Sequence, residues 1–272
     1  MNTLSQTWKN VFGGMTKFEK IWLAIFSVVI LAATIVFSVT GTNWVDWKSI
    51  GLNWLISPIS ALTGVICVLL VARTSIYNYS FGLINSLAYG LVAWVAGYYG
   101  DWILNWFFFV PTQFLILVFW QKNLKPKSID LVKVKKFTWL QILLVTVGAV
   151  AAFVVFGFVL HYVDFWFVNY MKRNASIYGN ITKAFGIPLL GPMMDSSTEV
   201  LQIFAQILCI KRMAEQWPMW MATDIITIIM WSVVIITDPT SIPWALPTLI
   251  MWIAFLVNSI YGTKVWYREA KA

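Results

Sequence analysis

The chain has 272 residues, of which 60% are hydrophobic and only 11% are charged, whereas soluble domains carry roughly 25% charged residues. This composition excludes a water-soluble globular protein and leaves no long polar segment for a separate soluble domain. A net charge of +8 would suggest nucleic-acid binding in a soluble chain, but here the basic residues lie between apolar segments, as in membrane proteins. We therefore expect a lipid bilayer as the medium and no nucleic-acid partner.

Eight apolar segments are long enough to cross a bilayer as helices, which predicts an all-α integral membrane fold. They cover residues 21–39, 54–72, 79–98, 102–121, 138–163, 197–213, 217–236 and 243–263. The first is longer than the apolar part of a signal peptide, so we interpret it as a retained helix. Pro111 lies inside the fourth segment and predicts a kink there, while Pro58 lies close to a predicted helix start, where a proline has little effect.

Basic residues follow every second predicted helix. Arg73 follows the second helix, six lysines and one aspartate lie in 122–136 after the fourth, and Lys211 and Arg212 follow the sixth. The loops on the other side are neutral or acidic. Because lysine and arginine are concentrated in cytoplasmic loops, this alternation predicts that both termini are cytoplasmic.

Two groups of three helices align when the chain is shifted by about 138 residues. The aligned pairs are Arg73 with Lys211, Asn78 with Gln216, Tyr79 with Trp217, Asn85 with Thr223, and Trp106 with Trp244. This predicts a first triple-helix repeat at 54–121 and a parallel second one at 197–266. Residues 122–196 then hold the basic loop, a linker helix and an outer loop, and 1–53 hold an additional span and its loop. Transporters built from parallel repeats bind substrate near the middle of the membrane, between the repeats.

Polar residues recur at helical spacing inside these apolar segments. Asp195, Glu199, Gln202 and Gln206 share one helix face, and Trp220 lies one turn before Asp224. A carboxylate within the bilayer costs about 2.5–3.5 kcal/mol on insertion scales, so it normally faces a cavity or a partner. An indole face attracts cations. The alternative is that such polar groups only hold helices together, but a stripe of four favours a solvated pathway.

We therefore predict one binding cavity at mid-membrane, lined by acids, amides, hydroxyls and deep aromatic rings. The predicted substrate-binding residues are Asn85, Tyr89, Trp94, Trp106, Gln113, Thr198, Glu199, Gln202, Gln206, Trp220, Thr223, Asp224 and Asn258. Because the chain has one histidine and two cysteines, both cysteines within predicted helices, we expect no metal site, no disulfide and no cofactor.

Three segments resemble the PnuC-type transporters of nicotinamide riboside, a form of vitamin B3. They are YNYSFGLINSLAYG (77–90), LNWFFF (104–109) and DSSTEVLQIFAQILCIKRMAEQWPMWMATD (195–224), within a similarity that runs from about residue 54 to 266. The resemblance implies a three-plus-one-plus-three helix core, similar in fold to SWEET proteins, in a homotrimer of the bacterial inner membrane. It also implies facilitated diffusion of nicotinamide riboside, which a cytoplasmic kinase traps by phosphorylation.

Two other functions remain open from the residues. A proton-coupled carrier of another cationic vitamin or metabolite, such as thiamine, would use Asp224 and Glu199 as titrating groups. An intramembrane enzyme would need a nucleophile with its base, paired acids or a metal, and no HExxH or GxSxG motif occurs in the sequence. We therefore expect a transporter and not an enzyme.

Overall fold

The computed structural model describes residues 11–126, 128, 130–172 and 178–271, and nearly all of these are helical. Each of the eight predicted segments overlaps one long helix, and a short additional helix, α6, lies in the predicted outer loop. The helices are α1 Lys17–Gly41, α2 Trp47–Ala72, α3 Asn78–Ala96, α4 Tyr99–Gln121, α5 Trp139–Asn169, α6 Tyr178–Phe185, α7 Leu190–Ile210, α8 Gln216–Thr237 and α9 Ile242–Glu269.

Seven helices of the described chain are both long and apolar enough to cross a membrane: α1, α2, α3, α4, α5, α8, and α9 with the turn before it. The remaining long helix, α7, has 21 residues and is therefore about 30 Å long. It is less apolar because it carries the polar stripe that begins at Asp195. The fold is thus a multi-span helical membrane fold, and an eighth span formed by α7 stays a prediction.

The long helices form a central group with two peripheral members. Helix α2 packs against α3 and α9, α8 packs against α7 and α9, and α1 packs against α9 and α2. Helix α5 packs mainly against α7, and only 6% of its most apolar stretch is buried. The central helices are therefore α2, α3, α4, α7, α8 and α9.

Pro58 and Pro111 each follow a π-helical segment, with one residue between the segment and the proline. Leu52–Ile56 ends just before Pro58 in α2, and Leu104–Phe109 ends just before Pro111 in α4. Because proline lacks an N–H group, the wider π turn accommodates an irregular hydrogen-bond pattern there. The kink predicted at Pro111 stays a prediction, and the structure places the π-helical segment Leu104–Phe109 just before it. Helix α2 begins at Trp47, well before Pro58, so Pro58 also lies inside a helix.

The turn between α2 and α3 has the same geometry as the turn between α7 and α8. Thr74 and Arg212, which are 138 positions apart, both adopt the left-handed backbone conformation, with φ of 59° and 62°. In each turn the N–H of the following residue donates to the carbonyl of the residue four positions before the left-handed one, at 2.9 and 2.8 Å. These matching turns support the predicted parallel repeat, which stays a prediction.

Residues 130–135, which we call the clamp segment, pair with both of these turns. The N–H of Val132 donates to the carbonyl of Thr74 at 3.0 Å, and the N–H of Lys135 donates to the carbonyl of Arg212 at 2.8 Å. The Arg212 guanidinium also donates to the carbonyl of Lys133 at 3.0 Å. The basic loop therefore holds the two turns together at one end of the helix group.

Candidate functional site

The six central helices line a cavity of about 90 Å³, and none of the lining residues in the described part of the chain comes from α1 or α5. That volume has room for several water molecules. Seven of the predicted binding residues line it: Asn85, Tyr89, Gln113, Gln202, Gln206, Trp220 and Asp224. Residues that are far apart in sequence on α3, α4, α7 and α8 are thus brought to one void.

Asp224 supplies the carboxylate of this cavity. Its side chain is 1% exposed, and the hydroxyl of Ser259 on α9 donates to one of its oxygens at 2.8 Å. The other oxygen, Oδ1, has no hydrogen-bond partner among the described residues. A buried acceptor without a donor is costly, so Asp224 is suited to accept a hydrogen bond from a bound molecule or to pair with a cation.

Aromatic rings form much of the cavity wall beside Asp224. Trp220 lies one helical turn before it, and the indole N–H of Trp220 donates to Oε1 of Gln216 at 3.3 Å. The Trp220 ring packs near Phe109 of α4, with centroids 6.3 Å apart and planes 32° apart. Such a wall offers flat π faces next to an acid, which is a favourable environment for a planar cation.

Amide side chains form another part of the lining. Asn85 donates to the carbonyl of Ser60 at 2.9 Å, and Gln206 donates to the hydroxyl of Thr112 at 3.0 Å. The Oε1 atom of Gln113 has no partner among the described residues. Gln113 lies so close to Gly82 that a Cβ at position 82 would be 2.6 Å from this oxygen. These amides can donate to or accept from hydroxyl groups of a ligand.

The charge of the described cavity lining is negative. It contains the Asp224 carboxylate, and no lysine, arginine or histidine is among the described residues that line it. A cationic or neutral ligand suits this environment. An anionic ligand would be desolvated beside a carboxylate with no cation to compensate it.

The remaining six predicted residues lie outside the cavity lining. Trp94 packs against Trp102, with ring centroids 4.6 Å apart, and the Trp106 indole donates to the carbonyl of Leu87 at 3.2 Å. Asn258 donates to the carbonyl of Val68 at 2.8 Å. The other three are buried residues of α7 and α8: Thr198, Glu199 and Thr223.

The cavity also contains residues outside the predicted set. They are chiefly Asn105, Trp217, Trp252, Phe255 and Ser259. Trp217 lies three positions before Trp220 on α8, so helical periodicity is an available signal for it. Ser259 has no such signal, because its contact with Asp224 joins positions 35 residues apart.

Glu199 belongs to a separate group of three acids at one end of the cavity. Its carboxylate lies with those of Asp101 and Asp195, and one oxygen from each is within 4.8 Å of the others. Tyr89 and Gln202, which line the cavity, donate to Asp101 at 2.6 and 3.3 Å. The acid group therefore contacts the cavity wall through two shared residues.

A family model described as a nicotinamide mononucleotide transporter matches residues 53–268. A protein of Neisseria mucosa named nicotinamide riboside transporter PnuC is 32% identical over 268 residues, covering 97% of this chain and 86% of that protein. The chain belongs to the PnuC family of membrane transporters. The relatives are named as transporters, and this PnuC-family protein is a transporter rather than an enzyme.

Two further relatives span almost the whole of this PnuC-family chain. The PnuC protein of Haemophilus influenzae is 27% identical, over 99% of this chain and 98% of its own length. A crystal structure of the vitamin B3 transporter PnuC superposes with a TM-score of 0.74 at 30% identity, covering 99% of each chain. The family match begins at residue 53 and leaves α1 outside it, whereas these relatives align with α1 included.

Proposed function

We propose that this PnuC-family protein takes up nicotinamide riboside by facilitated diffusion and that phosphorylation in the cytoplasm drives net uptake. The observation that carries the proposal is a cavity in a PnuC-family protein that is lined both by Asp224, which has one unpaired oxygen among the described residues, and by the Trp220 indole. The relatives support the substrate, since three proteins of this family are named for nicotinamide riboside.

The two parts of the substrate match the two kinds of lining group in the cavity. Its pyridinium ring is flat and positively charged, so it can stack on Trp220 and pair with Asp224. Its ribose carries hydroxyl groups, which need amide partners, and Asn85, Gln113 and Gln206 supply them. The binding energy is thus divided between a charge, a π face and several hydrogen bonds.

The lining favours the riboside over the mononucleotide that gives the family model its description. The two molecules differ by a phosphate group, which needs lysine, arginine or a helix N-terminus to bind it. The described lining has no basic side chain, and its charged group is the Asp224 carboxylate. A phosphate in this cavity would be desolvated and repelled.

Transport follows from movement of the two triple-helix repeats about this cavity. Gln202 and Gln206 belong to the predicted second repeat and Asn85 and Gln113 to the first, so the substrate would touch both. Movement of one repeat against the other then exposes the cavity to each side in turn. A uniporter needs only moderate affinity, because a tightly held substrate leaves slowly.

The protein is proposed to lie in a bacterial inner membrane as a homotrimer with both termini in the cytoplasm. The basic residues of 122–136 and the Lys211–Arg212 pair support that orientation. The large exposed apolar surface of α5 leaves room for contacts with lipid and with other copies. Light scattering of the detergent-solubilised protein should give three times the mass of one chain, and a single-chain mass would contradict the trimer.

Uptake by purified protein in liposomes tests the mechanism. Labelled nicotinamide riboside should enter until its concentrations are equal on both sides, and an imposed proton gradient should change neither the rate nor the end point. Liposomes that also contain a nucleoside kinase and ATP should accumulate label beyond that level. Accumulation without the kinase that a protonophore abolishes would contradict facilitated diffusion.

The second candidate function is a proton-coupled carrier of another cationic vitamin, such as thiamine. The buried acids Asp101, Asp195 and Glu199 favour it, because carboxylates inside membrane proteins carry protons in many pumps. The same liposome assay separates the two functions. Thiamine uptake that follows the proton gradient and exceeds nicotinamide riboside uptake would support this second function.

A further inference from the structure

Three carboxylates are buried together where the starts of α4 and α7 meet. Asp101 is on α4, Asp195 and Glu199 are on α7, and the three are 0–1% exposed. One oxygen from each lies within 4.8 Å of the other two. Among the described residues, the ion pairs are Arg73–Glu19 and Lys125–Glu269, both elsewhere. Buried carboxyl groups are neutralised by a proton, paired with a cation or bound to metal, and among the described residues no basic side chain pairs with this group.

The hydrogen bonds around the group leave one carboxylate without any donor. Asp101 accepts from the Tyr89 hydroxyl at 2.6 Å and from Gln202 at 3.3 Å, and Asp195 accepts from the Tyr178 hydroxyl. Among the described residues, no N–H or O–H donor reaches either oxygen of Glu199 or Oδ1 of Asp195, and the Glu199 carboxyl group lies close to that of Asp101. The unpaired oxygens therefore belong to residues that already face one another.

We propose that Asp101, Asp195 and Glu199 bind a hard divalent cation, Ca²⁺, and that the ion ties α4 to α7. The donor set is all oxygen, which suits Ca²⁺ or Mg²⁺ and not the metals that prefer cysteine or histidine. Three carboxylates supply three to six oxygens, and Ca²⁺ takes six to eight oxygens at 2.3–2.6 Å. The expectation of no metal site rested on histidine and cysteine, which this site does not use.

The partners of the acids have the arrangement typical of metal ligands. Carboxylates that bind metals are usually held by hydrogen bonds from outside the site. Here Tyr89, Gln202 and Tyr178 hold Asp101 and Asp195 in this way, while Glu199 is left for the ion. A proton shared between Asp101 and Glu199 would involve two of the acids, whereas one oxygen from each of the three acids converges here.

The three acids lie next to the cavity, so an ion bound to them would affect the cavity wall. Helix α4 ends at the basic loop and α7 ends at Ile210, so the acid group, near the start of both helices, lies at the end of the cavity that is far from the clamp segment. Tyr89 and Gln202 both line the cavity and contact Asp101. An ion that holds Asp101 against α7 therefore closes this end of the cavity and fixes two residues of its wall.

Calorimetry and thermal melting of the purified full-length protein test the proposal. After chelation, CaCl₂ titrated into the protein should bind with a stoichiometry of one ion per chain. At about 100 times the dissociation constant, Ca²⁺ should raise the melting temperature by roughly 5–10 °C, and EGTA should reverse the rise. MgCl₂ and NaCl at equal ionic strength should give much smaller shifts.

Two variants locate the site. Glu199→Gln should abolish the calcium-dependent shift and melt no lower than the calcium-free parent, because its amide can donate to the neighbouring acids. Glu19→Gln, which changes a buried acid of α1 that already has partners, should keep the shift.

The proposal is overturned by any of three results. The parent protein fails to bind Ca²⁺, or Mg²⁺ and Na⁺ raise the melting temperature as much as Ca²⁺ does, or Glu199→Gln retains the full shift. A melting temperature that responds to pH but not to Ca²⁺, with the response lost in Glu199→Gln, would assign the site to protons and overturn it as well. The direct calcium titration of the parent decides the matter even if a variant fails to fold.

Discussion

Asp224 gives the cavity its negative charge, since it is the charged residue among the described lining residues. One of its oxygens accepts from Ser259 and the other has no partner among the described residues, so the carboxylate is positioned but only half satisfied. Asp224 can act as the partner of a cation or as an ordinary hydrogen-bond acceptor. A substitution that removes its charge and keeps its shape distinguishes these two roles.

Asp224→Asn should weaken the binding of nicotinamide riboside. Hydrogen bonds to charged groups contribute about 1.5–3 kcal/mol, so the dissociation constant should rise at least tenfold, as measured by calorimetry. Asp238→Asn, which changes an exposed acid before α9, is the matched control and should bind as the parent does. Unchanged affinity in Asp224→Asn would show that the carboxylate does not meet the substrate charge.

Trp220→Ala should weaken binding more than Trp106→Ala. Trp220 lines the cavity, whereas the Trp106 indole points to the carbonyl of Leu87. Loss of a desolvated cation–π contact costs up to about 2 kcal/mol, which is roughly 30-fold in affinity. Equal small losses in both variants would remove Trp220 from the binding site.

For single residues, the sequence predicts helix faces better than it predicts contacts. Because residues four apart share a helix face, spacing alone places Trp220 and Asp224 together. Side-chain polarity favours Asn258 over its neighbour Ser259 as a binding residue. Successive residues of a helix point about 100° apart, so the two side chains have different neighbours. It is Ser259 that donates a hydrogen bond to Asp224. Spacing also assigns Glu199 to the cavity stripe, whereas the packing of α7 on α4 brings it to two other acids instead.

The turns after α2 and α7 are the elements that the clamp segment joins. Each contains a residue with positive φ that is not glycine, namely Thr74 and Arg212. A β-branched residue is especially strained in this conformation, and such strain persists where the surrounding structure fixes it. Here the surrounding structure is the pairing of both turns with residues 130–135.

Thr74→Gly should therefore stabilise the protein. The substitution relieves a cost of about 1 kcal/mol, which corresponds to a rise of roughly 2–4 °C in melting temperature in detergent. The matched control is Thr63→Gly inside α2, where glycine should lower stability by about 1 kcal/mol. A fall in melting temperature for Thr74→Gly would show that the turn is not strained. Arg212→Gly should gain less, since it also loses the bond to the Lys133 carbonyl.

The existence of the helices is predictable from apolar length, but their ends and irregularities are not. Helix α7 begins at Leu190, before the first residue of its predicted apolar segment, because its first turns are buried by α6 and α5 and not by lipid. The π segment in α2 and the short helix α6 depend on neighbours in the fold. Apolar length carries no information about either.

At the scale of the whole molecule, charge distribution predicts the orientation. Val45, between α1 and α2, is 95% exposed, and Lys271 lies at the carboxyl end. In intact cells a membrane-impermeant maleimide should label Val45→Cys and leave Lys271→Cys unlabelled until the cells are opened. The parent, whose two free cysteines lie in helices, is the background control. The reverse labelling pattern would invert the topology.

The central claim is that the cavity around Asp224 and Trp220 selects a cationic riboside. A calorimetric panel with purified protein tests it most directly, by comparing nicotinamide riboside, nicotinamide, the phosphorylated mononucleotide and thiamine. We predict binding of nicotinamide riboside that is at least tenfold tighter than that of each other compound, with the mononucleotide weakened by its phosphate. Equal or tighter binding of the mononucleotide, or no binding of the riboside, would contradict the account.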